Sequence, residues 1–182
     1  MTKLTQSYSN GVSTIPLIGD TIGVHFDKVV ARFGDRPALI VRHQNVRWSY
    51  AELNEKVDAC AAGLIALGLE PGDRVGIWSP NNSEWVITQF ATAKAGLILV
   101  NINPAYRLAE LEYALNKVGC KALITADSFK NSNYVGMLRD LAPEIAGSAP
   151  GELQAARLPT LRTLIRIGGS ADGFLGFDDV LG

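Results

Sequence analysis

The chain has 182 residues, 47% of them apolar and 19% charged, with a formal net charge of -1. That length holds one good core, or one with a small appendage, and the composition is that of a globular protein rather than a disordered or fibrous one. The balanced charge excludes a broad electrostatic attraction for nucleic acid, so no nucleic-acid partner is expected.

Residues 1–20 read as an irregular arm without an apolar core of signal-peptide length, and no apolar run is long enough to span a membrane. Both features predict a cytoplasmic protein. A helix is predicted next, because Ile22, Phe26, Val29, Val30 and Phe33 share one face and Gly34 can take a left-handed stop. Two short strands follow at 38–41 and 46–48, around a polar turn at His43, Gln44 and Asn45.

Ser49 and Glu52 have the spacing of a capping box. Leu53, Val57, Cys60, Ala61, Leu64 and Leu67 supply the inner face of the helix they start, and Gly68 closes it. The small residues Ala61, Ala62 and Gly63 would let that helix sit close to a neighbour. After a turn at Pro71-Gly72-Asp73 the chain alternates: strand 75–78, helix 84–94, strand 97–101, helix 108–118 with Gly119 as its stop, strand 122–125.

A further helix carries Tyr134, Met137, Leu138 and Leu141 and ends at Pro143. Residues 146–160, rich in Gly, Ala and Pro, read as a surface loop, and 161–167 as a strand ending at Gly168-Gly169. The stretch 174–181 begins a short helix that is free to fray. Short apolar strands between amphipathic helices predict an α/β fold with a partial doubly wound, mostly parallel sheet, covered on both faces and joined by right-handed crossovers.

Residues 79–84 follow a strand's carboxyl end and precede a helix, where ligands of open α/β sheets bind. Ser83 could equally cap the helix, with Asn81 and Asn82 in the turn. Asn101, Asn103, Pro104, Tyr106 and Arg107 sit past the next strand; Arg107 could meet a phosphate or carboxylate, or simply pair with Glu110. Trp85 and Phe90 are expected to pack down on the sheet.

His25 and His43 have no second ligand at metal spacing, and Asp178-Asp179 suits a helix start better than an acid–base pair. Cys60 and Cys120, far apart and outside any CxxC, read as buried reduced thiols. Neither GxGxxG nor GxxxxGK[ST] occurs, which weighs against a nicotinamide enzyme, and Gly168-Gly169 reads as a turn. On the residues alone, the site assignment is empty: no catalytic residue, no metal ligand, and cofactor-binding residues unknown.

One series of strings goes further. Trp48-Ser49-Tyr50-Ala51-Glu52-Leu53 is followed by the run from Gly72 to Trp85, by Lys94-Ala95-Gly96, and by Asn101-Ile102-Asn103-Pro104-Ala105-Tyr106-Arg107 through Glu110-Leu111. In this order and spacing they resemble the opening of the adenylate-forming (AMP-binding) acyl-CoA synthetases, nearest to those acting on medium- or long-chain fatty acids. The resemblance runs from about Thr21 onward, so 21–182 are expected to form an incomplete amino-terminal domain of that family.

Such enzymes use ATP and magnesium to make an acyl-adenylate from a fatty acid, then pass the acyl group to CoA. The family's Ser/Thr/Gly-rich phosphate loop, its Thr-Glu element, its ribose-binding Asp and its catalytic Lys are not found here; 148–151 and 168–173 do not reproduce the phosphate loop. The resemblance therefore implies a catalytically inactive ligase fragment that binds no cofactor productively alone. ATP, Mg and CoA belong to the complete enzyme, and the remainder of the ligase is the fragment's implied partner. Exposed apolar faces leave it open to self-association. The competing reading is a short acyl-binding or partner-docking module. A peripheral place on a membrane is compatible with the complete enzyme.

Overall fold

The computed structural model describes Gly11 and residues 14–182. Most of the expected arm therefore lies outside the described residues, and 14–20 form neither helix nor strand. Helix α1 (Ile22–Phe33) starts at Thr21, whose hydroxyl accepts from the Val24 amide at 3.3 Å. Its end corrects an expectation: Gly34 has φ −43° and is right-handed, because the chain runs straight into a turn whose Gly34 carbonyl accepts from the Ala51 amide.

Strands β1 (Pro37–Val41) and β2 (Val46–Ser49) form an antiparallel hairpin, with Asn45 left-handed at φ 54° in the turn. Helix α2 (Tyr50–Ala66) opens with the predicted capping box: Ser49 Oγ accepts from the Glu52 amide at 3.2 Å, and the Ser49 amide donates to Glu52 Oε2 at 2.7 Å. The small-residue stretch has the expected use. A Cβ on Gly63 would lie 1.9 Å from the Val180 carbonyl oxygen, so only glycine lets the C-terminal segment approach this closely.

Strand β3 (Arg74–Trp78), helix α3 (Ser83–Ala95), strand β4 (Ile98–Asn101), helix α4 (Leu108–Val118) and strand β5 (Cys120–Thr125) follow in the predicted alternation. Gly119 stops α4 at φ 62°. A hairpin of β6 (Ser128–Phe129) and β7 (Ser132–Asn133), which the sequence did not announce, leads into α5 (Tyr134–Leu141). Strand β8 (Thr163–Arg166), strand β9 (Leu175–Gly176) and helix α6 (Phe177–Leu181) complete the chain.

The main sheet has five strands in the order β4-β3-β5-β8-β9, every pairing parallel. Its side chains alternate between two cores, as pleating requires. Val75, Ile77, Ala122, Ile124 and Ile165 face α1, α2, α3 and α6, whereas Trp78, Leu123 and Leu164 face α4 and α5. The fold is thus α/β with a mostly parallel, helix-flanked sheet, as the sequence predicted.

Two further expectations need correction. Residues 146–160 are not merely a surface loop, because Leu153, Ala155 and Leu158 are buried in the α4–α5 core. The C-terminal stretch does not fray: Phe174, Phe177 and Val180 are buried, and the Gly176 amide donates to Asp179 Oδ2 at 3.0 Å. The expected helix-start role of Asp178-Asp179 is met by Asp179.

Candidate functional site

The strand order makes a switch point. From β3 the chain leaves to α3 on one face, and from its neighbour β5 it leaves to α5 on the other. Adjacent loops therefore part at the carboxyl ends of β3 and β5, the position that ligands occupy in open α/β sheets.

The first of these loops is closed by its own hydrogen bonds. Ser79 Oγ, buried, donates to the Pro80 carbonyl at 2.9 Å and accepts from Asn82 Nδ2 at 2.7 Å. Asn82, not Ser83, caps α3: its Oδ1 accepts from the Trp85 amide at 2.8 Å. Ser83 is instead the first helical residue: its amide, an orphan donor of the first turn, donates to Gln44 Oε1 at 2.7 Å, its hydroxyl donates to Glu84 Oε2 at 3.0 Å, and Gln44 Nε2 donates to Glu84 Oε2 at 2.8 Å. Capping, one of the two readings open for 79–84, accounts for its bonded side chains; Asn81 is exposed.

Trp78 joins three elements at this edge. Its ring stacks on Tyr134 with centroids 3.7 Å apart, and its Nε1 donates to the Asn103 carbonyl at 3.1 Å. Tyr134 Oη donates to the Pro104 carbonyl at 2.5 Å. Burial of the Tyr134 phenol pushes its pKa up to about 12, so it stays a proton donor at neutral pH.

Arg107 binds elsewhere than its side chain was expected to. Its Nη1 donates to Ser132 Oγ at 2.8 Å, tying the loop after β4 to the hairpin after β5, while Glu110 accepts from the Arg107 backbone amide at 3.1 Å. Arg166, at the end of β8, pairs with Asp127 beyond β5 at 3.1 Å. Sequence reading did not single out this pair. Only the β5–β8 register, which sets Thr125 opposite Arg166, brings it together.

Trp85 and Phe90 are both half-buried against the core that the sheet shares with α1–α3, and Phe90 stacks on Phe26 of α1 with centroids 4.3 Å apart. Phe90 also lines a cavity of about 500 Å³, together with Phe26, Val29, Ala38, Leu53 and Val86. His25 and Asp20 stand at its polar margin, 3.8 Å apart. His43 lies in the turn before β2.

Cys60 and Cys120 are buried and unpaired, and burial pushes both thiols up to about 12. Among the described residues no three His, Cys, Asp or Glu side chains gather as a metal site. The buried hydroxyls of Ser79 and Thr125 bond to main-chain carbonyls, so neither is set beside a general base. What the geometry provides is a rigid platform of tied loops carrying two oriented guanidinium groups.

Comparison with known proteins gives this platform a context. The family model described as AMP-binding enzyme matches residues 26–166. Medium-chain acyl-CoA ligase ACSF2, mitochondrial, of Mus musculus is 44% identical over 175 residues, 96% of this chain and 28% of that protein. Putative acyl-CoA synthetase YngI of Bacillus subtilis (strain 168) is 38% identical over 164 residues, 90% of this chain and 30% of that protein. The chain thus spans less than a third of the length of either relative.

Among solved structures, the anthranilate CoA ligase AuaEII in complex with anthranoyl-AMP matches with a TM-score of 0.74 over 92% of this chain and 28% of that one, at 23% identity, a likeness of fold. The names of the mammalian ACSF2 relatives place those proteins in the mitochondrion, which overturns the expectation of a cytoplasmic chain. That expectation rested on 1–20 lacking a signal-peptide core, a criterion for secretion that has no bearing on mitochondrial import. With most of its length matched by the family model, the chain belongs to the AMP-binding enzyme family.

Proposed function

We propose that this chain is the scaffold portion of an ATP-dependent fatty-acid:CoA ligase, residues 21–182 forming part of its amino-terminal domain and contributing no catalytic residue. The observation that carries this reading is the family match laid over a parallel sheet whose switch-point loops are tied by Asn82, Arg107 and Trp78. In the complete ligase ATP with magnesium would activate the acid as an adenylate, and CoA would take the acyl group. The names of the ACSF2 relatives support a medium-chain acid.

The role of these residues is positional. Fixing loops at the strand ends lowers the cost of orienting whatever groups complete the site, and orientation supplies much of the acceleration in such reactions. The outer edge of β4, unpaired among the described residues and with Ile98 half exposed, is the surface through which the isolated chain would self-associate.

Pyrophosphate exchange into ATP with octanoate tests the assignment. The isolated chain is expected to give no exchange above background, and a longer ligase carrying these residues is expected to form octanoyl-CoA. Exchange by the chain alone would sink the scaffold reading; a longer enzyme inactive on all fatty acids would sink the ligase reading. A second reading, a non-catalytic acyl-binding module, is favoured by the apolar cavity beside Phe26 and Phe90. Saturable octanoate binding abolished by Phe90→Asp, without exchange, would select it.

A further inference from the structure

The other end of the sheet, where the strands begin, gathers cations. Arg74 opens β3, Lys121 is the second residue of β5, and Arg162 immediately precedes β8. The β3–β5 register shifts by one residue at this point, with Arg74 opposite Cys120 and Val75 opposite Ala122, which leaves Lys121 unmatched as at a bulge. Bulges re-aim the side chain they carry. All three cations line one cleft of about 520 Å³, whose walls also include Thr160 and the glycines 68 and 119.

Main-chain carbonyls rather than carboxylates hold the two guanidinium groups. Arg74 Nε donates to the Val118 carbonyl at 2.7 Å and its Nη1 to the Gly72 carbonyl at 3.1 Å. Arg162 Nη1 donates to the carbonyls of Leu161 and Leu153 at 3.1 and 3.4 Å. Neither has an ion-pair partner among the described residues, whereas Lys121 pairs with Asp73 at 2.7 Å. Among the described residues no carboxylate lines the cleft itself; Asp73 stands behind Lys121 and offsets part of its charge and that of Arg74, while Glu70 and Glu152, close in sequence, are exposed and outside the lining.

Charge held in place by carbonyls remains available to an anion. A guanidinium presents a planar fork that matches phosphate oxygens, and an ammonium adds a point charge. Gly68 has open space where a side chain would stand, so the mouth is unobstructed. The cleft's volume suits a small molecule.

We propose that this cleft binds a small molecule carrying two or more linked phosphate groups, at a site separate from the carboxyl-end platform. The four steps from Arg74 to Trp78 along β3 put the two ends of the sheet about 13 Å apart. An anion held here would leave the carboxyl-end loops free.

Titration calorimetry of the 182-residue chain with inorganic pyrophosphate, at fixed ionic strength, tests this. Saturable binding is expected, stronger than that of sulfate, and weakened about tenfold by Arg162→Gln or by Arg74→Gln. Arg139→Gln, on the exposed side of α5, is expected to leave it unchanged. Arg162 is itself exposed, so its variant reports on the site even if the loss of the Arg74 clamp unsettles β3. Vesicles of phosphatidylcholine with phosphatidic acid form a separate arm. Absence of saturable pyrophosphate binding, equal affinity for sulfate, an equal loss in Arg139→Gln, or binding to vesicles alone would overturn the proposal.

Discussion

Trp78 stands where strand, helix and loop meet, and its neighbours give the residue more than one reason to be there. It is fully buried, stacks on Tyr134 and donates to the Asn103 carbonyl. Truncation to alanine would remove the stack and leave a large void, a cost of about 3–5 kcal/mol. Tyr134→Phe keeps the ring and loses only the bond to the Pro104 carbonyl, about 1 kcal/mol. Urea denaturation measures both, and a Tyr134→Phe loss as large as that of Trp78→Ala would show that the hydroxyl, not the stack, fixes this corner. Sequence reading placed Trp78 at the end of a strand and within a family run but not in this corner, because stacking with a residue 56 positions away leaves no local trace. Asn82 shows the same limit at shorter range. Adjacent Asn82 and Ser83 are both good caps by residue type; Asn82 takes the role, and the orphan amide of Ser83 is met by Gln44, 39 residues before it, a partner that no local pattern announces.

At the scale of elements, what was legible is what neighbours along the chain decide. The capping box of α2 and the Gly119 stop of α4 depend on residues within one turn, and both stand where periodicity placed them. Residues 146–160 misled because Gly, Ala and Pro signal turns while burial is set by distant partners. The Leu153 amide pairs with the Arg162 carbonyl, which draws that turn onto the core. Helix contacts add a polar example. Lys94 of α3, 13% exposed, bonds Asp27 of α1 and both Asp58 and Asn54 of α2. Burial opposes its charge, but the bonds from Asp27 and Asp58 outweigh that and hold its pKa above the usual lysine value. Gly63 makes the sharpest case. Gly63→Ala must push α6 off α2, because the new methyl would overlap the Val180 carbonyl. The expected loss is about 1–3 kcal/mol, with faster hydrogen exchange at Phe177 and Val180 than at Leu123 in β5. Uniform acceleration across all three would mean that α6 has no separate docking equilibrium.

For the whole molecule, the sheet's two cores are coupled because β3, β5 and β8 each give side chains to both. Neither layer of helices can leave without stripping one face of the same strands, so the two should unfold together. The thiols report on this independently: Cys60 belongs to the α1–α3 side and Cys120 to the α4–α5 side. Each is buried, and burial raises its pKa from 9.0 to about 12. In the folded chain both therefore stay protonated up to about pH 12, whereas unfolding releases the protons above about pH 9. The unfolded state binds fewer protons in that window, so stability is full below pH 9 and declines as pH rises toward 12. Tyr134, raised from 10.0 to about 12, adds to the loss in the upper part of the same window. Measured by urea denaturation, the midpoint should fall steadily above pH 9, and Cys60→Ala should flatten that slope. At pH 8, a disulfide reagent should label the two cysteines at one common rate, the rate set by global opening. Labelling of Cys60 well ahead of Cys120 would show that α1, α2 and α3 lift from the sheet alone, and would break the coupling that the shared strands impose.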